Sequence, residues 1–337
     1  MVRTALEDQA SGVLLGLAAG DAMGMPTQML SRGQVASLFP RFCWFHDGPK
    51  ENPISIGLPA GRITDDTEQA LMVANLLVVG HGLFDGRAFA EQLIDWARGA
   101  ERDGSEQLGP SSRRALDNIL RGVSIETAGR WGTTNGAAMR IAPVGIACCA
   151  EPKIDLVNLV TNVARVTHNT GLAISGASAV ASFIAATLDG ADVQESLNFA
   201  MMSAKLGAER GYYAPGPSLA ARIEWAVNFC SLADDDAFLD VLDRLVGTGV
   251  GTEQSVPTAF ALVMRWPMNP WRVITEAARL GGDSDTIGAI AGAMAGARTG
   301  IGAFPPNVLE TLEQVNHLSL ASLAQQLLEL RHGRERG

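Results

Sequence analysis

Glycine returns at every fourth residue in two stretches of this chain: Gly12, Gly16, Gly20 and Gly24 near its start, and Gly288, Gly292, Gly296 and Gly300 near its end. A spacing of four places these positions in a row along one side of an α-helix, so each stretch predicts a helix with a ridge free of side chains. Each glycine costs a helix interior roughly 1 kcal/mol relative to alanine. Two such rows are therefore expected only where backbones must approach closely. The same spacing occurs in dimerising membrane spans, but Asp21 and Arg298 interrupt these runs and argue against that use.

Apolar residues elsewhere recur at helical intervals: Phe89, Leu93, Trp96 and Ala97; Phe238, Val241, Leu242 and Leu245; Leu320, Leu323, Leu327 and Leu330. The Ala-rich segments 173–188 and 287–297 fit central helices surrounded on all sides, and alternating strand patterns are scarce. The stretches 47–61, 104–110 and 211–217 carry the Gly and Pro of loops. No repeat or linker divides the chain, so the expectation is an all-α fold forming one compact domain over residues 1–337.

With 47% hydrophobic and 18% charged residues in 337, the chain has the composition of a packed globular protein. A net charge of -10 without a basic stripe argues against nucleic acid as a partner, although backbone N–H groups or bound cations can still meet a small phosphorylated ligand. The uncharged stretch 166–188 includes His168 and Asn169 and reads as a buried helix, not a membrane span. Arg3, Glu7 and Asp8 precede only a short apolar run, which is not the pattern of an export signal. The four cysteines show no metal or disulfide spacing, and Cys148 and Cys149 read as small buried hydrophobes. A cytoplasmic location is expected.

Two acidic clusters stand at predicted helix starts. The first is Thr64-Asp65-Asp66-Thr67-Glu68, where Asp65 and Glu68 have the spacing of a capping box. The second is Gly281-Gly282-Asp283-Ser284-Asp285-Thr286, in which capping explains one acid and leaves the other over. Carboxylates this close repel unless a cation or proton lies between them. Asp and Thr oxygens suit hard cations such as Mg²⁺, and the two clusters hold enough of them for a pair of ions. Zinc fits less well, with no HExxH and five scattered histidines. Gly20-Asp21 is a third helix-associated acid, either another ligand or a structural cap.

These motifs together resemble the ADP-ribosylglycohydrolases, the family that includes dinitrogenase-reductase-activating glycohydrolase. The resemblance runs through Gly16 to Gly24, Thr64-Asp65-Asp66-Thr67, Thr167-His168 and Gly282 to Thr286, in that order along nearly the whole chain. It implies an orthogonally packed helical domain with a binuclear Mg²⁺ or Mn²⁺ centre, whose ligands carry over to Thr64, Asp65, Asp66, Asp283, Asp285 and Thr286. The segments 48–52, 134–140 and 253–257 look closer to a bacterial branch whose substrates are less certain. Where the family often carries Glu after the Gly-Asp motif, this chain has Gln28. That loses a carboxylate at the expected substrate entrance and shifts weight from ADP-ribosylarginine on proteins towards a smaller riboside.

The loop 132–139 combines Gly, Thr and Asn, and the resemblance makes it a wall of the ligand site, with Asn135 and Gly136 as substrate contacts. His168 is a further candidate for phosphate or ribose, against the simpler reading of a hydrogen-bonded helix-end histidine. Tyr212 and Tyr213 could stack a base or merely anchor their loop, and Asp103 and Glu106 could protonate a leaving group. The chemistry implied is cleavage of an N-glycosidic bond, in which the cations orient the ribose and acidify a water while Asp66 or Asp285 takes its proton. A nucleoside or other small N-riboside hydrolase is the alternative within this chemistry. A non-catalytic ADP-ribose binder is the alternative outside it, with the intact acid positions against it.

Overall fold

The computed structural model describes residues 4–102 and 108–335. Among them no strand forms, and the extended pairings are two isolated bridges, Thr134 with Gly251 and Thr170 with Tyr212. The fold is all-α, as the periodicity predicts.

The two glycine ridges face each other. The helix Ala5–Gly24, opened by a reciprocal capping box between Thr4 and Glu7, runs antiparallel to the helix Ser284–Thr299. A Cβ on Gly12, Gly16 or Gly20 would lie 2.4, 2.0 or 1.9 Å from the carbonyl oxygen of Gly296, Gly292 or Gly288 respectively. Backbone here meets backbone, which only glycine permits. Both helices are buried on all sides over most of their length, with Ala10–Gly24 and Ser284–Ala297 wholly buried. The third central helix, Gly171–Leu188, is long and apolar enough to cross a membrane, but residues 173–188 are all buried among other helices.

This antiparallel register brings the end of the first helix against the start of the Ser284 helix. Ser284 donates to the carbonyl of Gly24 (3.0 Å) and shares a hydrogen bond with Thr27 (2.9 Å). Gly281 and Gly282 turn the chain just before, with φ of 68° and 65°, and a Cβ on Gly281 would meet the Leu30 carbonyl at 2.2 Å. The loop 47–61 is tied to the same place, because buried Asn52 donates to the carbonyls of Met25, Pro26 and Gln28.

Two expectations change in detail, and one further proline finds its place. The Phe238 segment is a helix only over Asp235–Val241, then widens into a π-turn, Leu242–Val246. That rotation leaves Leu245 59% exposed while Phe238 and Leu242 stay buried. Pro110 opens the helix Pro110–Leu120 at a position where its missing N–H is harmless. Pro257 lies inside the helix Thr252–Arg265, and the Glu253 carbonyl that it cannot reach accepts from Arg222 instead (3.2 Å).

Candidate active site

The helix Asp65–Val79 begins at Thr64, whose side chain makes no cap. Its free amides are capped from another helix. The carboxylate of Asp21, fully buried in the Ala5–Gly24 helix, accepts from the backbone N–H of Thr64 (3.0 Å) and Thr67 (3.1 Å) and from both their hydroxyls (2.8 and 2.5 Å). Burial pushes Asp21 up to about 6 despite these four donors. The capping box expected between Asp65 and Glu68 is not formed; Glu68 pairs with Arg62 (3.1 Å) and accepts from the Trp96 indole. In the second cluster Asp283 occupies the N-cap position but likewise makes no side-chain cap.

Relieved of capping, Asp65, Asp66, Asp283 and Asp285 line one cavity of about 320 Å³, together with Thr286, Asn135, Gly136 and Gln28. The clusters truly converge: the Thr286 hydroxyl lies 3.3 Å from Asp66 Oδ2, across 220 positions of sequence. Asp283 accepts from the Asn135 amide (2.5 Å), and Asp285 from the Thr286 N–H (2.9 Å). Burial, then mutual repulsion, pushes the carboxyls of Asp65, Asp66 and Asp285 well above the usual range; burial alone raises Asp283, against its bond from Asn135.

Asp66 Oδ1 is buried with no hydrogen-bond partner. An orphan carboxylate oxygen beside other repelling carboxylates and hydroxyls is a donor set for a hard divalent cation. Among the described residues no three His, Cys, Asp or Glu form a ready-made cage. An ion held here would therefore depend on hydroxyl and water oxygens as well, which suits Mg²⁺.

The family described as ADP-ribosylglycohydrolase matches residues 2–337. The chain belongs to that family. It is 35% identical to the uncharacterized protein YegU of Escherichia coli K12, over 96% of this chain and 97% of the other. It is 28% identical to ADP-ribosylarginine hydrolase Tri1 of Pseudomonas putida GB-1, over 96% of this chain and 78% of that one. A solved structure, an ADP-ribosylglycohydrolase-related protein complex, superposes with a TM-score of 0.72 at 28% identity, covering 96% of this chain and 98% of its own.

Within this ADP-ribosylglycohydrolase fold the residues singled out from sequence do not all reach the cavity. Asp65, Asp66, Asp283, Asp285, Thr286, Asn135, Gly136 and Gln28 line it. Thr64 stands behind Asp66, its hydroxyl 3.4 Å from Asp66 Oδ2 but closer to Asp21. His168 is fully buried and is not part of the wall, which corrects the expectation that it touches phosphate or ribose. Burial, then the nearby Arg140 charge, holds it well below its ordinary pKa. Gly136 makes room for its ring: a Cβ there would lie 2.6 Å from His168 Cε1. Asp103 and Glu106 lie outside the described residues. Tyr212 packs under the Arg130 guanidinium (5.1 Å) as a loop anchor, Tyr213 is exposed, and neither lines the cavity. Cys148 is buried, and neither it nor Cys149 lines the cavity.

Sequence reasoning missed Arg140 and Gln69, both fully buried. Arg140 donates to Gln69 Oε1 (2.8 Å) and to the Thr167 hydroxyl (2.5 Å), with its guanidinium over the Phe89 ring at 5.0 Å. Gln69 passes the link to Asp65 Oδ2 (3.0 Å). The available signal was an arginine set in the apolar run Ala137-Ala138-Met139-Arg140-Ile141-Ala142, where an unpartnered charge has no place.

Proposed function

We propose that the chain hydrolyses the N-glycosidic bond of an ADP-ribosyl conjugate, using two Mg²⁺ or Mn²⁺ ions held by Thr64, Asp65, Asp66, Asp283, Asp285 and Thr286. The observation that carries this reading is the convergence of both acidic clusters on one cavity while Asp21 takes over the capping role. Family membership and the relative named as an ADP-ribosylarginine hydrolase support it. Bound cations would neutralise the acids and lower the pKa of an attacking water.

The chain's own residues supply the rest. Cleavage builds positive charge at C1 and the ring oxygen of the ribose, and the wall that faces it is anionic: no Lys, Arg or His lines the cavity among the described residues. Asp66 is the better placed base, because its Oδ1 has no partner, whereas Asp285 Oδ1 is taken by the Thr286 amide. Asn135 fixes Asp283 and is itself fixed by Ser255 (3.0 Å). Met29, Ile54, Leu108 and Val250 form an apolar rim that limits water access.

A second reading, hydrolysis of a nucleoside or other small N-riboside, is favoured by Gln28. Its neutral amide lines the cavity where a carboxylate would be needed to hold a guanidinium leaving group. The cytoplasm, where such metabolites and modified proteins occur together, is the proposed location.

The test is to supply the purified protein with Mg²⁺ or Mn²⁺ and compare release of ADP-ribose from ADP-ribosylarginine with release of base from nucleosides. Asp283→Ala and Asp285→Ala should lower both bound metal and turnover, the latter by about 100-fold or more. Full activity of either variant without metal, or no cleavage of any riboside by the metal-replete protein, would overturn the reading.

A further inference from the structure

A chain of hydrogen bonds, buried up to its last link, runs from Arg140 to the cavity residue Thr134: Arg140 to the Thr167 hydroxyl (2.5 Å), Thr167 to His168 Nδ1 (2.7 Å), and His168 Nε2 to the Thr134 hydroxyl (2.8 Å). Its direction is fixed at one end. A guanidinium has donors only, so the Thr167 oxygen must accept from it. Thr167 is fully buried, and the acceptor within reach of its own hydrogen is His168 Nδ1. Leaving that hydrogen unpaired would strand a buried donor. Nδ1 is thus an acceptor, and the neutral imidazole carries its proton on Nε2. Nε2–H then donates to Thr134, whose oxygen is an acceptor in that bond and whose hydrogen is left over. Thr134 lines the cavity, and its hydroxyl has no other partner among the described residues.

The same donor-only group orients the other arm. Gln69 must present its carbonyl to Arg140, so its amide nitrogen faces Asp65 Oδ2. Asp65, held in this way through Oδ2, lines the cavity.

We propose that the Thr134 hydroxyl donates a hydrogen bond to an oxygen of the bound substrate, and that Arg140 is the positioning residue that gives it this polarity through Thr167 and His168. The site so formed is a neutral donor in the same cavity as the acids, matched to a ribose or phosphate oxygen and useless to a ligand that offers only donors. The substrate side of this inference rests on the function proposed above; the direction of the bonds does not.

Two measurements test it. In protein labelled with ¹⁵N at histidine, with His168 assigned by comparison with His168→Gln, the imidazole should show a protonated Nε2 and a bare Nδ1. Protonation at Nδ1 would overturn the proposal whatever the substrate is. Arg140→Gln, which adds an acceptor, should mix the two tautomers; should that variant not fold, Thr167→Val removes the acceptor's donor with a smaller change, and an unaltered tautomer in the folded variant would also overturn it.

In calorimetric titrations of metal-loaded protein, Thr134→Val should weaken ADP-ribose about tenfold, as expected for one lost hydrogen bond, and Thr134→Ser should restore it. A loss shared by adenosine puts the contact on the sugar, and a loss confined to ADP-ribose puts it on phosphate. Binding of both ligands by Thr134→Val at wild-type affinity refutes the donor role. If the wild-type protein binds neither ligand, it is the proposed function that fails, and the tautomer still decides the polarity.

Discussion

Gly16→Ala tests the claim that the two glycine ridges define the fold. The added Cβ would lie 2.0 Å from the Gly292 oxygen and 2.6 Å from its carbonyl carbon, about 1.4 Å short of the 3.4 Å at which ordinary contact begins. A long side chain could swing aside, but here the obstacle is the backbone of a buried helix. Overpacking of this kind costs typically 1–3 kcal/mol and occasionally more. The upper end applies, since separating the helices also loosens the buried side chains on both flanks. Alanine returns roughly 1 kcal/mol of helix propensity, which leaves a net loss of about 2–3 kcal/mol. Gly33→Ala is the matched control: Gly33 is helical and exposed, a Cβ there meets nothing within 4 Å, and the substitution should stabilise by about 0.5–1 kcal/mol. Urea unfolding followed by far-UV circular dichroism reads both. A Gly16→Ala protein as stable as Gly33→Ala would refute the reasoning.

Adding Mg²⁺ to chelator-treated protein should raise its melting temperature, because burial leaves the four cavity carboxylates costly to ionise, with repulsion added at Asp65, Asp66 and Asp285; a flat response up to millimolar Mg²⁺ would count against a cation site. Arg331→Ala should destabilise by about 1–3 kcal/mol in the same urea assay, since it leaves the carbonyls of Gly145 and Ala185 without the buried guanidinium that holds them. Alkylation with iodoacetamide near pH 8 should label exposed Cys43 well before Cys230, whose thiol burial pushes up to about 11; equal rates, read by peptide mass spectrometry, would contradict that burial.

What the sequence displays about this fold is what depends on regular spacing. A period of four reveals the bare ridges, and the central helices are visible because an alanine-rich run without charge can only be buried. The acidic clusters are legible for a different reason: Asp283 and Asp285 are more carboxylates than one helix start can use. That Asp21 is the cap for a helix 43 positions away is not legible, since it depends on how two helices cross. His168 shows the same limit. Its neighbour Thr167 and the loop at Gly136 mark the right region, but whether the imidazole reaches ligand or supports the wall turns on Arg140, whose partners are 71 and 27 residues distant. Leu245 departs from its helical pattern because one wide turn shifts the phase, and no apolar spacing records that.

The facing ridges also act as a notched rule. Their teeth repeat every four residues, or about 6 Å of helix rise, so sliding one helix past the other is allowed only in whole steps of that length. One step would carry Asp283 and Asp285 away from Asp66 altogether, and half a step would jam backbone on backbone. The position of the second acidic cluster is thus set in discrete increments by residues that bear no chemistry, and both ends of the chain must be present for the cavity between them to exist.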